Sequence, residues 1–411
     1  VYILFSKTLL SRNIFTRNQW FCMAIVLFDN ADRQSLFPLT HTRSVADIRI
    51  GILRIREKWA LLLQEEVYIV TEAYLQQQYQ SFTPGTHTWI DAAVLPDEHI
   101  AASIRQLADG AALEDATGLV AARVYSDSPV IPSLTDGGLL QQITRVEEVK
   151  RLHYPWQVFL WNDLYLRHDF ELLTRNRVSQ PIPPHTQCIH PEQVFIEEGA
   201  TVSFAVLNAA EGPVYIGKDA LVMEGALIRG PFALCEKGVV KMGAKIYGAT
   251  TIGPYCSAGG EIKNVVMTGY SNKAHDGYLG DSVIGEWCNM GAGTSNSNVK
   301  NTGGEVKMFH KHSDKLVPVG IKCGLVMGDY SRTAINTAVN TGSIIGTCCN
   351  VFTEGLTPRL INSFTWGGRG LTRYEFEKAL RDIGNWKKMK HHALTETEAA
   401  VLKHIFEHFS N

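Results

Sequence analysis

Three groups of side chains in this 411-residue chain suit chemistry. Arg33, Arg43 and Arg49 follow the first apolar run, and guanidinium groups in such a loop suit anions, which they hold through paired N–H donors. His275 lies in the string Lys273-Ala274-His275-Asp276-Gly277-Tyr278, and His310 and His312 lie in the charged stretch 307–315. A neutral imidazole accepts a proton near neutral pH, so all three compete for the role of general base. Lone loop histidines more commonly serve structure, and residue type does not choose among them. The eight cysteines form no CxxC pair and no metal-ligand spacing, which fits reduced thiols in a cytosolic protein.

The elements that position these residues are visible as a repeat. Apolar residues fall six apart at Ile216, Val222, Ile228, Leu234, Val240, Ile246 and Ile252. Four positions after them stand Ala220, Ala226, Phe232, Gly238, Ala244, Thr250 and Cys256, nearly all small. The phase slips near residue 260, resumes at Ile284 and Met290, slips again, and returns at Ile321, Met327, Thr333, Val339, Ile345 and Val351. A 3.6-residue helix cannot hold a six-residue repeat on one face, whereas short strands joined by tight corners can. Each hexapeptide then forms one side of a triangular coil, with its aliphatic residue inward and its small residue at the corner. The cysteines at corner positions are expected to be packing residues. The slips are expected to be insertions that leave the solenoid wall, over residues 261–283 and 295–320, and chemistry is expected there.

The rest of the chain reads differently. Met23–Phe28 and Val67–Thr71 have the apolar character of buried strands, and Ile48–Leu63 and Glu98–Ala108 that of helices, which predicts an α/β domain with a mostly parallel sheet. The arginines follow its first strand, where such sheets bind ligands. Residues 373–409 have helical spacing, with Thr395 and Glu398 placed as a capping box. The boundaries read as a leader, 1–22, foreign or disordered; an α/β domain, 23–185; a β-helix, 190–366; and C-terminal helices, 367–411. A formal charge of −2 gives no basic field for nucleic acid. No apolar run reaches the roughly 18 residues of a membrane span.

From Lys273 through Tyr278-Leu279-Gly280-Asp281 to Asn289-Met290-Gly291-Ala292-Gly293-Thr294, the sequence resembles bifunctional UDP-N-acetylglucosamine pyrophosphorylase / glucosamine-1-phosphate N-acetyltransferases. The likeness is specific over residues 216–300, looser to 366 and faint in the first domain. It implies an α/β, Rossmann-like nucleotidyltransferase domain, then a left-handed parallel β-helix that assembles as a homotrimer, then the helical tail. It implies His275 as acetyltransfer base and Lys245, Lys263, Tyr278 and Asn289 as ligands of the sugar phosphate, with Ala292 and Asn298 near acetyl-CoA. Leu36-Phe37-Pro38-Leu39-Thr40-His41-Thr42-Arg43 resembles a stretch of sugar-phosphate nucleotidyltransferases. Asp91 and Asn162 would then be the Mg²⁺ ligands. The family's glycine-rich loop is missing, and Arg33, Arg43 and Arg49 stand in as nucleotide contacts.

The implied function is a cytoplasmic, two-reaction enzyme. Its β-helix would acetylate glucosamine 1-phosphate with acetyl-CoA, and its first domain would join N-acetylglucosamine 1-phosphate to UTP. The alternatives are a nucleotidyltransferase whose β-helix only trimerises the chain, and a non-enzymatic assembly scaffold.

Overall fold

The computed structural model describes residues 23–127, 140–367 and 372–410; the expected leader at 1–22 lies outside them. The first strand, β1 (Ile25–Phe28), is wholly buried, and β2 (Val67–Val70) and β3 (Gly85–Asp91) flank it in parallel. Strands β4 (Ala111–Asp115), β5 (Gly118–Ser126) and β6 (Gln142–Arg145) complete a six-stranded sheet in the order β2-β1-β3-β5-β4-β6. Because β5 runs antiparallel to β3 and β4, the sheet is mixed, with three parallel pairings.

The helices of this domain are α1 (Ile55–Leu63), the short α2 (Ala73–Gln76), α3 (Glu98–Arg105), α4 (Gln157–Leu160) and α5 (Asn162–Thr174). The helix expected to open at Ile48 starts seven residues later. Gly51 turns the chain at φ +72°, and a Cβ there would lie 2.5 Å from the Asp169 carboxylate. That carboxylate accepts from the N–H groups of Ile52 and Leu53 and from the buried Lys58 ammonium. Asp97 caps α3 by accepting from Ile100 N.

From Gln187 to Trp366 the chain is a parallel β-helix with three stacked faces. The first face stacks Gln187–Ile189, Val206–Asn208, Leu227–Arg229, Lys245–Tyr247 and the opening halves of Glu261–Gly269 and Tyr278–Glu286. The second runs from Val194–Ile196 to Leu360–Ile361, and the third from Thr201–Val202 to Thr365–Trp366. The six-spaced residues from Ile216 to Ile252 are all at most 2% exposed and line the lumen. Burying each contributes about 1.5–3 kcal/mol. The corner cysteines Cys256, Cys288 and Cys349 are buried there too, and burial pushes the Cys256 and Cys349 thiols up to about 12, so they stay neutral and inert.

The two phase slips have opposite causes. The first is a shortening: inward residues run Ala258, Ile262, Met267, Lys273, Leu279, Ile284, Met290, and the coil never leaves the wall. Residues 261–283 are therefore strand and corner, not an excursion. The second is an insertion, which carries an antiparallel hairpin, Val306–His310 with Lys315–Gly320. Ile321, expected in the lumen, follows that hairpin and is 55% exposed.

The first domain covers the second face. Ile48, Trp156 and Val158 share one core with Val266, Val283 and Val326 of the solenoid, and Ile52 and Leu166 pack on Phe195 and Tyr215. Helices α6 (Phe376–Lys388) and α7 (Glu396–His408), the latter opened by the Thr395–Glu398 capping box, cover the next corner. Along that corner Tyr255, Tyr270 and Trp287 stack at 4.9 and 4.4 Å, close to the strand spacing of about 4.8 Å. The first face stays open.

Candidate active site on the β-helix

On the open face, outward positions alternate with lumen positions. Lys245, Glu261 and Tyr278 are register partners in successive coils, as are Tyr247, Lys263 and Gly280. One strand spacing per coil puts the Lys245 and Tyr278 backbones about 10 Å apart. Lys245 is exposed, and Lys263 and Tyr278 are half-buried. A groove of about 260 Å³, lined by Asn208, Arg229, Lys245 and Tyr247 among others, extends the face through earlier coils.

His275 stands at the corner where the third face turns into this one, and it is exposed. The shortening beneath it explains its prominence. Only Gly259 and Gly260 separate Ala258 from Glu261, while four residues, 274–277, separate Lys273 from Tyr278. The longer turn lies directly on the short one: a Cβ on Gly259 would stand 2.3 Å from Ala274 O, and one on Gly260 2.6 Å from Gly277 O. On the other side Gly293 N donates to Asp276 O at 3.0 Å, which places Ala292 in the next corner of the stack.

Tyr278 is fixed by a polar network. Its hydroxyl accepts from Asn298 Nδ2 at 3.0 Å, and Asn298 also donates to Asp281 at 2.5 Å. Asn264 donates to the other Asp281 oxygen at 2.8 Å, and Asn296 Oδ1 accepts from Gly280 N at 2.8 Å. Burial, reinforced by the Asp281 charge, pushes the Tyr278 phenol up to about 12, so it stays a hydroxyl. Asn289 lies around the corner on the third face, 3.5 Å from Asn272 and in register with Arg332. One chain thus brings Lys245, Lys263, Tyr278, Asn298 and His275 together, with Asn289 behind the corner.

The rival histidines separate clearly. His312 is exposed on the hairpin. His310 is 7% exposed, packs edge-on against Tyr154 at 5.0 Å, and accepts or donates at Ser313 Oγ at 2.7 Å. Burial lowers its basicity.

The first domain calls for corrections to the expected nucleotide site. Arg33 is 2% exposed; it pairs with Asp29 at 3.2 Å and donates to the carbonyls of Thr40 and Arg43. Arg43 pairs with Glu286 at 3.0 Å and with Asp329, both on the β-helix. Arg49 donates to Thr268 O at 3.1 Å and to Ile52 O. All three make hydrogen bonds or ion pairs that clamp the chain to itself. Asn162, expected on a metal with Asp91, instead accepts from Gly51 N at 2.7 Å and donates to Ala249 O at 2.8 Å. Asp91 accepts from Asn30 at 2.9 Å and from Ala93 N at 2.9 Å, with Arg151 at 3.6 Å; burial pushes its carboxyl up to about 6. Among the described residues no group of three or more His, Cys, Asp or Glu side chains is placed to hold a metal. This donor set does not fit Mg²⁺, since Asp91 is already hydrogen-bonded and faces a guanidinium. The C-terminal Phe409 also seats in the loop, 5.1 Å from Phe37 and stacked on His41 at 5.2 Å.

Residues 25–178 match the family model for sugar nucleotidyl transferases. The first domain is a sugar nucleotidyl transferase domain. A bifunctional protein GlmU of Methanocaldococcus jannaschii is 33% identical over 106 residues, 26% of this chain and 26% of the relative. A bifunctional protein GlmU of Bartonella quintana is 26% identical over 211 residues, 47% of this chain and 41% of the relative. A bifunctional sugar-1-phosphate nucleotidylyltransferase/acetyltransferase of Sulfurisphaera tokodaii is 35% identical over 100 residues, 24% of each chain. The chain is a divergent relative of these proteins, and the matches span from a quarter to two fifths of their lengths. Among the described residues no helix is long and apolar enough to cross a membrane.

Sequence reasoning missed Asp281, Asn264 and Asn296, which brace Tyr278, and it gave Lys273 no role. Asp281 stood inside the motif already singled out, and Lys273 stood off the phase of the six-residue period, inside the slip.

Proposed function

We propose that the β-helix is an N-acetyltransferase, moving the acetyl group of acetyl-CoA to the amine of glucosamine 1-phosphate with His275 as general base. The observation that carries this reading is the exposed His275 corner beside a column that presents Lys245, Lys263 and a protonated Tyr278. The lysines would hold the phosphate, and Tyr278 would donate to the sugar. The free amine attacks the thioester carbonyl while His275 takes its proton, and the tetrahedral oxyanion collapses to expel the thiolate. Ala292 and Asn298 would lie along the coenzyme. Since Asn289 sits behind the corner, a groove between neighbouring copies would bring its face to the Tyr278 face, consistent with a homotrimer. Acetyl-CoA and sugar phosphates fit a cytoplasmic setting.

In the same reading the first domain transfers uridylyl from UTP to N-acetylglucosamine 1-phosphate, with no metal role for Asp91 or Asn162, supported by the family match over residues 25–178. The internal commitment of Arg33, Arg43 and Arg49 favours a second reading, in which that domain is a scaffold without nucleotide chemistry. One assay tests both: the full chain with glucosamine 1-phosphate, acetyl-CoA, UTP and Mg²⁺, following thiol and pyrophosphate separately. Thiol release that depends on the amino sugar is the expected result. No thiol release between pH 6 and 9 overturns the acetyltransferase, and thiol without pyrophosphate supports the scaffold.

A further inference from the structure

The lumen of the β-helix is apolar apart from a few small hydroxyl and amide groups, and at one coil it holds an ammonium group. Lys273 is in register with Ala258, which follows Val240 and Val222 up the same inward column. It is 1% exposed. Its Nζ donates to His275 O at 2.5 Å, Asp276 O at 3.3 Å and Gly259 O at 3.4 Å. Those three carbonyls belong to the two stacked corners that set the catalytic turn, and among the described residues no carboxylate hydrogen-bonds the ammonium.

A charge is costly in such a place unless its hydrogen bonds are met, and an apolar residue would fill the column without that cost. What the ammonium adds is a three-point tie from inside the solenoid to the peptide groups of His275 and Asp276. Two backbone bonds also hold the turn, Gly293 N to Asp276 O at 3.0 Å and Glu261 N to Gly277 O at 3.1 Å, while Gly277 has φ +121° and the His275 side chain is exposed. We infer that Lys273 is a positioning residue, whose ammonium holds the His275 turn from within the lumen so that the imidazole faces the acceptor amine. This rests on the acetyltransferase reading for its catalytic consequence, though not for its structural one.

The charge state of the tie falls in an accessible range. Burial lowers the Lys273 ammonium to about 8, opposed in part by Asp276. The other titratable groups of the surrounding elements are His275, Glu261 and Tyr278 at the stacked corners, and the thiols Cys256 and Cys288, which burial keeps neutral. The ammonium is therefore present below about pH 8 and lost above it, and the turn is released as pH rises. An acceptor amine only becomes a better nucleophile over that range, so a fall in rate above pH 8 marks Lys273.

The test compares the full-length wild type with Lys273→Met. In the wild type, the amides of Glu261 and Gly293, which donate to Gly277 O and Asp276 O of the turn, are expected to lose at least about tenfold in hydrogen-exchange protection between pH 7 and 9, after correction for intrinsic exchange, while the first coils keep theirs. Lys273→Met is expected to show the lowered protection already at pH 7. Its kcat for acetyl transfer should fall on the order of 10²-fold, as misplacement of a reacting group does. Its KM for acetyl-CoA should stay within about twofold, and the alkaline limb near pH 8 should vanish. Wild-type protection that is flat from pH 7 to 9 overturns the inference, and that result is available even if Lys273→Met fails to fold. A wild type that shows the exchange switch but acetylates nothing sinks the acetyltransferase reading and leaves the tie standing.

Discussion

Two clusters of cationic side chains stand at opposite flanks of the same solenoid, and their hydrogen bonds distinguish them. In the loop after β1, Arg33, Arg43 and Arg49 are at most 9% exposed and bind carbonyls and carboxylates of their own chain, several from more than two hundred residues away. On the open face, Lys245 and Lys263 project from a ladder of strands and, among the described residues, make no side-chain hydrogen bond or ion pair that restrains them. Arg43 and Arg49 fasten the first domain to the β-helix, and Arg33 fastens its own loop. The second cluster is free to receive a ligand on a rigid backbone. Charge in a promising loop is weak support for a binding site until its donors are traced, whereas unspent donors on a fixed wall are strong support.

That contrast breaks most easily at His275. His275→Ala is expected to lower acetyl transfer by about 10²–10⁴-fold, the usual range for a general base. It should leave the thermal midpoint within a degree or two, because the side chain is exposed. Retained acetylation within about threefold would remove it from the mechanism.

Next in size is Arg43→Ala, which strands Glu286 and Asp329 at the interface between the first domain and the β-helix. Breaking such a buried pair costs about 3–5 kcal/mol, and denaturant melts should show it. Acetyl transfer per folded molecule should hold within about threefold. Equal loss of stability and activity would mean the two flanks are not separable.

Lys263→Met sharpens the other side of the comparison. Loss of one charged hydrogen bond to a phosphate is worth about 1.5–3 kcal/mol, so KM for glucosamine 1-phosphate should rise on the order of tenfold or more, with stability unchanged. Arg33→Ala should do the reverse, with lower stability and no change in UTP affinity; a weakened UTP complex would restore the loop as a nucleotide site. The smallest effect belongs to Thr395→Ala, which removes the capping box of α7 at about 1 kcal/mol, read as a lowered melting temperature with normal kinetics.

The six-residue period was legible because it reports the lumen directly: Ile216, Val222, Ile228 and their successors line it as spaced. The meaning of the first slip was not legible, since a period of six reads a loss of four residues and a gain of two alike. The short Gly259-Gly260 corner, which props up His275, was hidden by that ambiguity. The arginines failed for another reason. Their partners Glu286 and Asp329 are distant in sequence, and no local pattern announces a pairing made only when two domains dock. Lys273 lies six residues from both Met267 and Leu279, which face the lumen from the neighbouring faces, and that spacing shows only once the coils are counted through the slip.

The account rests on where the substrates bind, and hydrogen exchange read peptide by peptide on the full chain measures that directly. With glucosamine 1-phosphate and coenzyme A added together, protection should rise across residues 245–247, 261–263 and 274–298, and residues 29–54 should be unchanged. Protection confined to residues 29–54, with the β-helix face unaltered, would contradict it.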